Sequence, residues 1–272
     1  MDERINYGIM AFVLISILSG TILAYTRSHL STKYSSVSIS TSYIFPPKVL
    51  LLFRTFVFLL FTGTQIYQSV IKGPRTLIFY TTWNFILQAF YFGLVVYYTL
   101  RPTVSQKVHV FIRAIFDITL STSFLVFLVT WAILYPHALT IGKGHLFTTN
   151  VSYLQHGGNV ILLLLELCGN SFTVNSKNIY LLPIWPIVFC AYAWIIEAGF
   201  GLWPYHFLRM DVNGTVIWYI GLLLVHYLFF GVAMVFSTLK KKVLKKCNDD
   251  GMELEEEEED AAIENISFVA MV

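Results

Sequence analysis

A hydroxyl becomes a useful nucleophile only when a neighbouring base can take its proton. Histidine is the side chain best matched to that task near neutral pH. In this chain Thr81 and His156 each stand about one to two turns inside an apolar segment, and each opens a polar stripe. Thr81, Asn84 and Gln88 fall at i, i+3 and i+7, which is one face of a helix. His156, Asn159 and Glu166 fall at i, i+3 and i+10, again close to one face. A hydroxyl, an imidazole and several amides can therefore converge at one shallow depth. Asn84 and Asn159 each lie one turn deeper than Thr81 and His156 and could donate to an oxyanion. One missing donor of that kind costs about 10²–10³ in rate. Trp203 and Tyr205, in the stretch Gly201-Leu202-Trp203-Pro204-Tyr205-His206, could cover the mouth and hold acyl chains, and Glu197 could orient His156. The same residue types also make ordinary hydrogen bonds between membrane helices. The pattern by itself leaves both readings open.

Such a site needs long helices to carry it, and the composition supplies them. The chain has 272 residues, is 56% hydrophobic and 17% aromatic, and only 12% of it is charged. A soluble domain carries about 25% charged residues. Too little polar surface is present to face water, so lipid is the expected solvent and membrane lipids the expected partners. The net charge of +2 conceals an asymmetry, because ten of the sixteen acids lie between Asp249 and Glu264. The excess of bases elsewhere is too thinly spread for nucleic-acid binding.

A membrane span takes about 20 mainly apolar residues. Seven candidates are read: Tyr7 to Tyr25, Val49 to Val70, Leu77 to Tyr98, Val108 to Leu134, Val151 to Cys168, Ile179 to Ala198, and Val216 to Leu239. The fifth is the weakest, since His156, Gly157, Gly158 and Asn159 interrupt its first turns. Thr26 to Ser42 reads as a polar loop. The expected fold is an all-α transmembrane bundle over 1–239, followed by a cytosolic, disordered charged tail over 240–272. Lys and Arg favour the cytosolic side of spans. Eleven of them flank spans on the tail's side against five on the other, which puts the N-terminus outside and the C-terminus in the cytosol. The membrane itself is expected to be the endoplasmic reticulum or the plasma membrane.

Ionisable groups at membrane depth usually face a bundle interior. Arg54, Asp117, His156, Glu166, Glu197 and His226 are of this kind. Arg54 could pair with Asp117, and Arg113 stands four residues before that acid on one helix face. Three cysteines give neither a disulfide framework nor metal-ligand spacing, so no metal and no cofactor is expected. Cys247, directly after the Lys240 to Lys246 cluster, stands where juxtamembrane S-palmitoylation occurs. The last span holds no lysine for a retinal Schiff base.

Several stretches resemble a known family in their order and spacing. They are Thr81-Thr82-Trp83-Asn84-Phe85, Gln88-Ala89-Phe90-Tyr91-Phe92-Gly93, Thr130-Trp131-Ala132-Ile133-Leu134-Tyr135-Pro136, Gln155-His156-Gly157-Gly158-Asn159 and Trp203-Pro204-Tyr205. From roughly Lys48 to Leu239 the chain resembles the androgen-induced family and the related rolling stone proteins. The resemblance implies a six-helix core, here with an additional N-terminal span. The androgen-induced branch implies a membrane threonine hydrolase acting on fatty acid esters of hydroxy fatty acids. Thr81 would be its nucleophile and His156 its histidine, although Gln155 replaces that branch's asparagine. Thr81-Thr82-Trp83, Thr130 to Pro136 and His156 to Asn159 look closer to the rolling stone branch, which implies a non-catalytic organiser of membrane adhesion or fusion.

Overall fold

Without water to bond to, a backbone crossing lipid must satisfy its own N–H and C=O groups, and a helix does this within one segment. The computed structural model describes residues 3–29, 42, 44–101, 103–212 and 214–269, with side chains omitted for 3–6, 12, 27–29 and 247–269. Among the described residues the chain is helices joined by turns, with no strand. The helices are α1 (Glu3–His29), α2 (Pro47–Lys72), α3 (Tyr80–Thr99), α4 (Gln106–Thr140), α5 (Asn150–Gly169), α6 (Ile184–Phe200) and α7 (Thr215–Val269). Among the described residues six segments are long and apolar enough to cross a membrane: Tyr7–Thr26, Pro47–Lys72, Gln106–Thr140, Asn150–Gly169, Ser176–Phe200 and Thr215–Lys246. This is the architecture of a multi-pass membrane protein.

α3 is not one of the six, although it is 20 residues long. Asn84 and Gln88 lower its hydropathy, and both are wholly buried. Its polar groups therefore face protein. Elsewhere the outward surface is apolar: Val70 is 75% and Ile217 76% exposed, while Arg54, Asp117 and Glu166 lie inside. Polar-in and apolar-out is the distribution that lipid selects.

Pro47 opens α2 at a position where its missing N–H costs nothing. Gly93 lets α2 and α3 approach closely, since a Cβ there would stand 2.9 Å from the Phe58 ring. α4 runs six residues beyond the expected Leu134. Pro136 does not end it; a π turn at Thr130–Leu134 directly before the proline absorbs the broken hydrogen-bond pattern. A second π turn, Leu154–Gly158, falls where the two glycines weaken α5. Gly201 closes α6 in the left-handed conformation, φ +64°.

The chain divides into two compact units, Met1–Met234 and Val235–Val272. The first has two apolar clusters. One gathers Phe61, Phe85, Phe92 and Phe116 from α2, α3 and α4. The other gathers Met10, Tyr80, Phe189 and Tyr219 from α1, α3, α6 and α7. In the second unit the backbone is helical through Val269. Lys, Glu, Leu and Met are strong helix formers, and extending a helix that already exists avoids the cost of nucleation. The Thr26 to Ser42 loop lies largely outside the described residues, and its first residues belong to α1.

Candidate active site

α3 begins at Tyr80, so the N–H groups of its first turn have no partner within the helix. The Tyr205 hydroxyl lies near them, where the Tyr80 and Thr81 N–H groups and the Thr81 side chain can donate hydrogen bonds to its ionised form. The ring of Tyr205 stacks on Phe207, with centroids 5.2 Å apart and planes 5° apart, and tilts against Phe79 at 5.9 Å. Burial pushes the Tyr205 phenol up to about 12, against the opposing pull of those hydrogen bonds. It is a neutral hydroxyl at any physiological pH.

Thr81 and Tyr205 lie on the wall of a cavity of about 80 Å³ between α1, α3, α4, α6, α7 and the loop after α6. A single water needs about 10–15 Å³ on this scale, so the space takes a chain segment of several methylenes. Its lining is mostly aliphatic and aromatic, for example Met10, Leu125 and Phe189. Among the described residues no Asp, Glu, Lys or Arg lines it. The histidine that shares this cavity is His226, whose Nε2 lies 2.9 Å from the Tyr80 hydroxyl.

His156 is buried in the π turn of α5. Its carbonyl accepts from Trp131 Nε1 at 2.8 Å, and its Nδ1 has no hydrogen-bond partner. The neighbouring amides are cross-linked: Asn159 Nδ2 donates to Gln88 Oε1 at 3.2 Å, Gln155 Nε2 to Gln68 Oε1 at 2.7 Å, and Thr122 Oγ1 to Asn84 Oδ1 at 2.6 Å. Asn84 Nδ2 stays unpartnered, whereas the Asn159 amide N–H is committed to Gln88. The structure thus sets Thr81 beside Tyr205 on the cavity wall and joins His156 to Trp131, and draws no hydrogen bond between Thr81 and His156. Trp203 packs half-buried against the second apolar cluster. The side chain of Cys247 lies outside the described residues.

Two expectations about charge are corrected. Arg54 pairs with Glu166, not Asp117: Nε reaches the two carboxylate oxygens at 3.0 and 3.1 Å, and Nη2 reaches Oε1 at 2.7 Å. Both residues are wholly buried, and Tyr91 and Asn170 donate to the same oxygen, at 2.8 and 3.1 Å. Asp117 instead accepts from the Asn175 N–H and Asn178 Nδ2, at 3.0 and 2.7 Å. Arg113 donates to the Thr173 carbonyl at 3.4 Å and lies over the Phe172 ring. Glu197 accepts from the Tyr7 hydroxyl at 3.2 Å and is not bonded to His156.

Tyr80 was not singled out from sequence, and His226 was seen only as an intramembrane ionisable group. The signal was there for His226, a histidine in the middle of an apolar span. Its partner, 146 residues away, was not readable. Among the described residues no group of three or more His, Cys, Asp and Glu converges on a metal site. No protein-family profile, curated protein or solved structure matches this chain.

Proposed function

We propose that this protein is a seven-span membrane protein, N-terminus outside and C-terminus in the cytosol, that holds a lipid ester by its chain and cleaves it at Thr81. The observation that carries the reading is the position of Thr81 on the wall of an uncharged apolar cavity. The 20-residue length of α3 supports counting it as the seventh span. In the reaction Thr81 Oγ attacks the ester carbonyl carbon and its proton passes to a histidine. The alcohol leaves with a proton, and water then releases the acid from the threonine ester. The bare Nδ1 of His156 supports it as the base, which must close on Thr81 when substrate binds. The unused Asn84 amide N–H supports that residue as an oxyanion donor.

A second reading has its own support. Tyr205 stands beside Thr81 on the cavity wall, and no hydrogen bond links Thr81 to His156. This favours a rolling-stone-like organiser that binds lipid without turning it over. Incubation of the purified protein with long-chain fatty acid esters separates the two. Hydrolysis that disappears in Thr81→Ala, with membrane insertion retained, supports the hydrolase. A wild-type protein that cleaves no such ester overturns it and leaves the organiser.

A further inference from the structure

Within the cavity the Tyr80 hydroxyl and the His226 ring form a buried polar pair, and their hydrogens can be placed by elimination. His226 Nδ1 lies 2.7 Å from the Leu222 carbonyl oxygen. A carbonyl only accepts, so Nδ1 carries the ring hydrogen. No Asp, Glu, Lys or Arg lines the cavity among the described residues, and an apolar site penalises an unpaired imidazolium. The ring is therefore neutral and Nε2 is bare. The contact of 2.9 Å between Nε2 and the Tyr80 hydroxyl is then a bond in which Tyr80 donates. Tyr80 has one hydroxyl hydrogen and it is spent on His226. What its oxygen offers to the cavity is lone pairs only.

We infer that Tyr80, oriented by His226, is the head-group anchor of this cavity, and that it selects a neutral single-chain lipid whose head donates a hydrogen bond, such as a long-chain alcohol. An ether or ester oxygen at the same place meets acceptor against acceptor. A carboxylate adds a buried charge with no counter-ion. Both Tyr80 and His226 are more than nine-tenths buried, so the anchor works without competition from bulk water. The inference rests on the cavity holding a lipid chain, as in the proposed function, but not on any ester being cleaved.

The test uses the full chain in lipid nanodiscs, with deuterated hexadecan-1-ol as the bound probe. Hexadecan-1-ol and 1-methoxyhexadecane compete for it, and the retained probe is read by mass spectrometry. Neither competitor has an ester, so the outcome is independent of hydrolysis. The alcohol is expected to compete about five- to tenfold better than the ether, which is one net hydrogen bond. Tyr80→Phe alone leaves His226 Nε2 as an acceptor, so Tyr80→Phe combined with His226→Leu, which removes both groups, should abolish the difference. His226→Leu frees the Tyr80 hydrogen to donate and should also shrink the difference, by strengthening the ether. Equal competition in the wild type, or a preference that survives the double variant, overturns the proposal. Should either variant fail to fold, nitrogen-15 spectra of the His226 ring in the wild type decide the hydrogen placement. A protonated Nδ1 with a bare Nε2 supports it, and the reverse tautomer overturns it.

Discussion

Trp131 Nε1 donates to the carbonyl oxygen of His156 at 2.8 Å, fastening the π turn of α4 to the π turn of α5. The indole also stacks on Tyr153, with centroids 5.7 Å apart and planes 14° apart. A π turn widens the helix and leaves a carbonyl without its usual i+4 donor. Trp131 supplies a donor from the neighbouring helix and so fixes the position of His156. Trp131→Phe keeps an aromatic ring against Tyr153 but removes that donor. The variant should be about 1 kcal/mol less stable in a denaturant titration of the detergent-solubilised protein. An unchanged midpoint would mean that the bond contributes nothing.

The Arg54–Glu166 pair is wholly buried and reinforced by Tyr91 and Asn170. Removing one partner leaves a charge buried without compensation, which costs about 3–5 kcal/mol. Arg54→Met should therefore reduce the folded yield severely. Arg54→Met combined with Glu166→Leu should recover most of it, because no charge is then left alone. Monodispersity by size-exclusion chromatography reads both. A double variant as damaged as the single one would show that the pair is needed for more than mutual neutralisation.

If Thr81 is the nucleophile, its hydroxyl matters and its methyl group does not. Thr81→Ala should lower ester turnover about 100-fold or more, and Thr81→Ser should retain a substantial part. His156→Ala should fall by a similar factor, in the range of about 10²–10⁴ ascribed to a positioned base. Undiminished turnover in His156→Ala would transfer the base role to another group, with His226 the one that shares the cavity.

The proposed seven-span arrangement would place the two ends of α3 on opposite sides of the membrane. Arg75 and Lys107 are both exposed and flank that helix. In a background with Cys168, Cys190 and Cys247 replaced by alanine, Arg75→Cys should react with a membrane-impermeant maleimide on intact cells. Lys107→Cys should react only after permeabilisation. Labelling of both from outside would remove α3 from the spans and invert everything that follows it.

What the sequence determined by itself is local. Seven helices of about span length could be read because apolar runs and backbone hydrogen bonding depend on neighbouring residues alone. The inward faces of α3 and α5 could be read as well, since Asn84, Gln88, His156, Asn159 and Glu166 recur at helical spacing and all five are buried. The partners were decided only by the tertiary structure. Arg54 could meet Asp117 or Glu166 at the same depth, and it meets Glu166, 112 residues away, with Tyr91 beside it. Spacing puts Thr81 and His156 at one depth too, yet Thr81 lines a cavity with Tyr205 and His226, while the His156 carbonyl accepts from Trp131. Sequence spacing sets how deep a residue lies along its helix axis. The rotation of each helix and its place in the bundle set which neighbour it touches, and those follow from the packing of all the helices together.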